Sequence, residues 1–284
     1  MALRNILDKV ELADRLDRIG DPLRRGVQAV LRGRLRDGLQ GVWLGHPLHP
    51  AMVELPIGAW VGAAVLDAVP GTGPAATVLV GVGTAAAVPT AAAGLTDWAS
   101  LSNEQRRVGL VHATANSIAV WLYAGSLAAR LSGRRRLGKR LAYAGFGAAG
   151  LGAYIGGHLT YRQAAQVNHA VPFLRQIPDG WHDLCDEHEV VEGRTIVRRI
   201  GEVPVLLART DRVVTALVER CAHQTGPLGD GKVVQINGAD CVECPWHGST
   251  YRLADGVVMR GPAGSNQPLL RTRVLSGRIQ VALP

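Results

Sequence analysis

The sequence predicts two folds in one chain: an all-α four-helix transmembrane bundle preceded by amphipathic helices, then an all-β module of the small antiparallel barrel or sandwich type. Three observations carry this. Residues 180–284 hold twelve Lys plus Arg and twelve Asp plus Glu, so the whole formal charge of +8 lies before them. The basic half also contains three long uncharged runs, whereas the charge-balanced half is cut into short β-branched stretches by Gly, Asn and Asp turns. A chain of 284 residues has room for both.

The first segment, 1–45, places Leu3, Ile6, Leu7 and Val10 at helical spacing among Arg, Lys and Asp. Asp21-Pro22 is expected to break the run, and Val27, Val30, Leu31 and Leu35 resume it. Two amphipathic helices on a membrane face fit this pattern, as does an ordinary helical cap. No apolar stretch near the start suggests a signal peptide.

Residues 46–165 are expected to form the membrane domain. Residues 68–96, 108–129 and 141–161 carry no charge, and each is long enough for a span of about 20 residues. Residues 50–70 make a fourth span, interrupted by Glu54, Pro56 and Asp67. Gly152 and Gly156 offer a small-xxx-small face for close helix packing. A buried soluble bundle suits the pattern less well, because three such runs leave almost no solvated face.

Pro172 and Pro178 mark 166–180 as a linker. In 181–284, strands are expected at 203–208, 213–218, 233–236, 257–260, 270–274 and 278–283, the last two joined by Ser276-Gly277.

The chemistry sits in this half. Cys221-Ala-His223 is followed, with twenty residues between, by Cys244-Pro-Trp-His247. Two Cys-plus-His pairs match a [2Fe-2S] centre in which two imidazoles replace thiolates on one iron. Each pair fits a tight loop, and the loops are expected to come from different hairpins of one small sheet. Structural zinc is the competing metal, but a zinc finger wants its two Cys together and its two His on a helix.

These residues resemble the Rieske ferredoxin-type family over the whole C-terminal part. Cys221 to Leu228 resembles the first cluster loop, Cys244 to Tyr251 the second, and Gly261 to Pro268 the proline-bearing loop over the cluster. The resemblance implies that Cys221 and Cys244 ligate the inner iron and that His223 and His247 ligate the outer, more exposed one. Respiratory members carry an extra, disulfide-bonded Cys in each loop; here those positions read Gly226 and Trp246. Cys185 and Cys241 are expected as free buried thiols, with a pair between them left open, and the module suits a reducing compartment. By the same resemblance Ser249 and Tyr251 donate hydroxyl hydrogen bonds to the cluster sulfurs and raise its potential. Only thirty-seven residues follow His247, too few for the second iron domain of a complete Rieske oxygenase.

Gly45-His-Pro-Leu-His-Pro50, Glu104 to His112 and Gly156 to Tyr161 resemble a family of four-span bacterial membrane proteins of unknown function, over roughly residues 40–168. With four spans, His46, His49, His112 and His158 would share one membrane face with the module that follows. An ionisable residue inside a span is a functional candidate. His49, His112 and His158, with His46 as a further candidate, are therefore expected to converge on haem b, a quinone with Glu54 nearby, a metal, or structural hydrogen bonds.

The expected function is one-electron transfer between a membrane redox partner or quinone and another oxidoreductase. Redox sensing or assembly, or a quinol- or haem-linked oxidoreductase subunit, are the alternatives. No nucleic-acid partner is expected. Basic residues fall on both sides, with Arg106 and Arg107 against Arg134 to Arg136, Lys139 and Arg140, so the positive-inside rule is divided. The unbridged cluster loops favour a multi-pass cell-membrane protein with its iron–sulfur module on the cytoplasmic face.

Overall fold

The computed structural model describes residues 2–284, with side chains from Asn5 onward, so the Leu3 side chain of the first apolar stripe lies outside the described residues. Two units divide the chain: Met1–Arg32 with Leu48–Ala165, and Gly33–Pro47 with Gln166–Pro284. The boundary after Ala165 falls at the expected end of the helical domain and the one before Leu48 lies two residues past the expected edge at 45, whereas Gly33–Pro47 groups with the C-terminal half instead of with residues 1–32.

In the first unit, α1 (Ala2–Glu11) and α2 (Asp17–Val30) precede four long helices, α4 (Leu48–Ala68), α5 (Gly73–Trp98), α6 (Asn103–Leu131) and α7 (Arg135–Gly157). Pro22 does not break the chain as expected, because it lies inside α2. Near the helix start a proline forfeits a single backbone bond. Ion pairs hold the same stretch in place, from Arg107 to Asp17 at 2.6 Å and from Arg106 to Asp21 at 2.9 Å. Those two arginines, read above as orientation signals, are therefore buried and paired. A capping box starts α6, with Gln105 N–H donating to Ser102 Oγ and Ser102 N–H to Gln105 Oε1.

Many of the buried positions of the four-helix unit are alanines, packed around a few large side chains such as Trp60, Tyr123 and Ile155, while many large apolar residues face outward. Ala59, Ala63, Ala76, Ala87, Ala115 and Ala119 are buried, whereas Val65, Val78, Val88, Ile118, Trp121 and Phe146 are exposed. Gly83 shows why: a Cβ there would stand 2.5 Å from the Trp60 indole nitrogen. Trp60 in turn stacks on Tyr123 at 4.2 Å. Pro56 has no N–H for the Met52 carbonyl, and Thr90 Oγ1 on α5 reaches that carbonyl at 3.3 Å. Arg130 and Asp67 form a buried ion pair that neutralises the charge interrupting the first span.

Among the described residues, α4 and α5 are the two helices long and apolar enough to cross a membrane. The four-span expectation is met to that extent only. Within their bounds α6 carries Arg106, Arg107 and Arg130, and α7 carries Arg135, Arg136, Lys139 and Arg140, which lowers their hydropathy.

The second unit is all-antiparallel among its named strands. A six-stranded sheet runs in the order β1 (His182–Asp186), β10 (Arg278–Ala282), β9 (Leu269–Leu275), β4 (Val213–Val218), β3 (Val203–Thr210), β2 (Thr195–Ile200). A four-stranded sheet runs β5 (Lys232–Ile236), β6 (Ala239–Glu243), β7 (Thr250–Arg252), β8 (Val258–Arg260). The expected strands are present, and β1, β2, β6 and β7 are additional. The expected linker is not a loose tether: it contains α8 (Val171–Leu174), Ala170 is fully buried, and Phe173 and Leu174 pack on the same core as Cys221 and Cys244. One further helix, α3 (Gly33–Leu39), belongs to this unit although it lies far upstream in sequence.

Candidate metal centre

Cys221 and Cys244 open two loops of the same construction. In the first, Cys221 N–H donates to Gly226 O at 2.9 Å and Thr225 N–H to Cys221 O at 2.8 Å. In the second, Cys244 N–H donates to Ser249 O at 2.8 Å and Gly248 N–H to Cys244 O at 3.0 Å. Both loops turn through a left-handed residue at the fourth place after the cysteine, Thr225 with φ 58° and Gly248 with φ 77°. The loops do not come from two hairpins of one sheet, as expected. The first leaves β4 and crosses to the other sheet at β5, and the second joins β6 to β7.

The two loops bring all four expected ligands together. The Cys221 and Cys244 thiols hydrogen-bond each other, and the rings of His223 and His247 lie 5.0 Å apart at 86°. His247 is exposed while His223 is buried, so one imidazole of the pair is accessible rather than both. Sharing a proton with Cys244, together with burial, pushes the Cys221 thiol up. Accepting that hydrogen bond brings the Cys244 thiol down to about 6. The two thiols therefore share a proton that a bound cation would replace.

A Cβ at Gly226 would stand 2.8 Å from Cys244 Sγ and 3.2 Å from the Trp246 ring. The two positions that differ from the disulfide-bearing members thus adjoin, and an indole fills the space there. All four cysteines are free, Cys185 and Cys241 included, and both of these are buried. Two buried thiols and two imidazoles on rigid loops are the donor set of a mixed Cys/His [2Fe-2S] centre, and the residues present fit it.

Tyr251 Oη lies 3.2 Å from Cys221 Sγ. Burial holds the phenol far above its ordinary pKa, so it keeps its proton and is the donor when Cys221 is a thiolate. Ser249 Oγ is fully buried and accepts from Ala263 N–H at 3.0 Å, which leaves its own proton to donate.

Gln267 is a functional residue that the sequence reading missed. It is 2% exposed, accepts from Ala222 N–H at 2.9 Å, and donates to the carbonyls of Val218 at 2.5 Å and Arg220 at 2.7 Å. The third loop thereby clamps the first. His169 N–H adds a bond to Ala222 O at 2.9 Å, and Asp37 on α3 accepts from Gly261 N–H at 3.3 Å. Its only sequence signal was its place in the proline-bearing loop.

The histidines of the helical half divide. His49 and His112 approach with ring centres 6.4 Å apart at 85°. Each directs Nδ1 to a backbone carbonyl, His49 to Thr90 O at 3.0 Å and His112 to Gly152 O at 2.9 Å. With a carbonyl as the acceptor each Nδ1 carries a proton, which leaves the Nε2 of the neutral ring with the lone pair. Asn116 Nδ2 stands 3.2 Å from His112 Nε2. Glycines make room for both rings, since a Cβ at Gly94 would meet His49 at 2.9 Å and one at Gly156 would meet His112 at 3.1 Å. His158 instead faces Glu11 Oε1 at 3.5 Å, and His46 is exposed, with Nδ1 near its neighbour's carbonyl, Pro47 O.

Comparison with known proteins agrees with this division. Residues 180–273 match the family model of the Rieske [2Fe-2S] domain, and residues 45–169 match that of a predicted membrane protein family, DUF2231. Methylxanthine N3-demethylase NdmB of Pseudomonas putida is 35% identical over 77 residues, 25% of this chain and 21% of the demethylase. The chain thus spans about a fifth of that protein's length. Ferredoxin CarAc of Metapseudomonas resinovorans is 26% identical over 104 residues, covering 36% of this chain and 92% of the ferredoxin. Among solved structures, the ferredoxin of Sphingomonas yanoikuyae B1 aligns at 21% identity and a TM-score of 0.33, over 37% of this chain and all of that one. The chain joins a Rieske [2Fe-2S] domain to a DUF2231 membrane-protein domain.

Proposed function

We propose that this protein is a membrane-anchored iron–sulfur protein that passes single electrons between a membrane redox partner and another oxidoreductase. The observation that carries this reading is the meeting of two thiols and two imidazoles on two equivalent loops, with a buried phenol 3.2 Å from one thiol. Cys221 and Cys244 would hold one iron, and His223 and His247 the other. The bound centre supplies the uptake and release of one electron. Tyr251 and Ser249 favour the reduced state by donating protons toward sulfur. The loop bonds and Gln267 keep the donors in place and hold water out, while the exposed His247 edge is where a partner approaches. Midpoint potentiometry with stopped-flow electron exchange tests this. Exchange with a quinol or a reductase within turnover times supports transfer, whereas a cluster that titrates but exchanges with neither supports the redox-sensing alternative.

The many large apolar residues that α4 to α7 leave exposed, Val65, Val78, Val88, Ile118, Trp121 and Phe146 among them, favour four membrane crossings, since an aqueous bundle would cover most of them. Free, unbridged cluster loops favour a cytoplasmic Rieske domain.

A second reading concerns His49 and His112. Two imidazoles sharing one metal at about 2 Å each have ring centres roughly 6 Å apart, and the observed separation is 6.4 Å. A haem or quinone-type ligand between these rings, displacing Asn116, would make the helical half a redox partner as well. A Soret band in membrane-purified protein that His112→Ala abolishes supports haem. Without one, the pair is a structural or quinone site.

A further inference from the structure

We infer that Asp8, Glu11 and His158 form a second metal site, in the helical unit, for a divalent first-row transition-metal ion. One donor atom from each lies within 4.8 Å of the others. His158 carries the argument. The residue is 9% exposed and its side chain 5%, yet Nε2 is sealed from solvent without a hydrogen-bond partner. It points at Glu11 Oε1 across 3.5 Å, too far for a good hydrogen bond. Leaving such a nitrogen unsatisfied is costly, and a cation between the two groups removes the cost. Two ligands each about 2.1 Å from one ion stand roughly 3.0–3.5 Å apart, the spacing of His158 Nε2 and Glu11 Oε1 at 3.5 Å.

Gln163 strengthens the case. Its Nε2 donates to Glu11 Oε1, and its Oε1 is itself buried without a partner, offering a neutral fourth oxygen. Arg162 Nη2 pairs with Asp8 Oδ1 at 2.9 Å and holds that carboxylate beside the cluster. The chain reaches this arrangement through a π-helical turn, His158–Arg162, where α7 ends. A cleft of about 320 Å³ lined by Glu11, Gln105, Arg162 and Gln163 gives a way in. One imidazole with two carboxylates and an amide oxygen selects Mn²⁺, Fe²⁺ or Zn²⁺ over alkali or alkaline-earth ions, since imidazole suits the former and all-oxygen sites the latter.

The test uses full-length protein in detergent, its iron–sulfur centre intact, after chelator dialysis. Mn²⁺ alone is titrated and its free six-line EPR signal followed, because Mn²⁺ does not seek the thiolates of the other unit. The expected result is one saturable Mn²⁺ per chain, displaced by Zn²⁺, with Glu11→Gln and His158→Gln each weakening binding at least tenfold and leaving the iron–sulfur signal unchanged. If His158→Gln does not fold, Glu11→Gln carries the test, since that side chain is 24% exposed and Gln preserves its shape. Absence of a saturable site, or wild-type affinity in Glu11→Gln, overturns the proposal and leaves a plain His–Glu ion pair.

Discussion

In the proposed centre Tyr251 is the residue on which tuning would turn, because its hydroxyl is buried, protonated and 3.2 Å from Cys221 Sγ. Tyr251→Phe removes about 1 kcal/mol of preferential bonding to the reduced state, and the midpoint potential should fall by roughly 40 mV. Ser249→Ala should lower it in the same direction, with the cluster still assembled in both. Redox titration monitored by circular dichroism reads the shift, and unchanged potentials in both variants would mean that the hydroxyls serve the fold alone. Gly226→Ala is expected to act differently: its Cβ at 2.8 Å from Cys244 Sγ displaces a ligand, so iron content should drop severalfold. That Cys221, His223, Cys244 and His247 would meet was legible in the sequence because their spacing is local and specific. Gln267 was not, since its three partners lie 45 to 49 residues away and no local pattern marks a glutamine that binds distant backbone.

At the scale of elements, the strands that sequence reading missed are those with mixed polarity. His182–Asp186 and Ala239–Glu243 carry acidic residues, Thr195–Ile200 two arginines, and Thr250–Arg252 is only three residues long. Pairing along the sheet, rather than propensity, decides them. The apolar strand Val203–Thr210, nearly all buried, was plain. Pro22 misled for a related reason: its single lost bond is offset by ion pairs from α6 that no local window contains. In the helical unit the buried Arg130–Asp67 pair joins α6 to α4. Asp67→Asn should destabilise the unit by about 3–5 kcal/mol, because a buried guanidinium loses its counter-charge. The double variant Asp67→Leu with Arg130→Met should cost clearly less. Thermal unfolding in detergent distinguishes them, and equal losses would show that the pair is not coupled.

For the whole molecule, a helical half followed by a β-rich half was readable from charge and hydropathy alone, whereas the place of residues 33–47 was not. Residues 33–47 belong with the β-rich unit because α3 bonds to the third cluster loop, a contact spanning more than two hundred residues. A multi-pass anchor predicts that the chain stays in membranes after carbonate extraction. A cleavable tag placed after Pro284 should be open to protease in inside-out vesicles and protected in right-side-out ones. The reverse pattern would put the Rieske domain on the outer face. The central claim is that Cys221, His223, Cys244 and His247 hold a mixed-ligand [2Fe-2S] centre. Low-temperature EPR of the reduced, membrane-purified protein, taken with metal and sulfide analysis, tests it most directly. Two irons and two sulfides per chain with an average g below that of all-cysteine clusters, lost in His223→Ala and His247→Ala, is the result expected. Zinc in place of iron, with no sulfide and no signal on reduction, would contradict it.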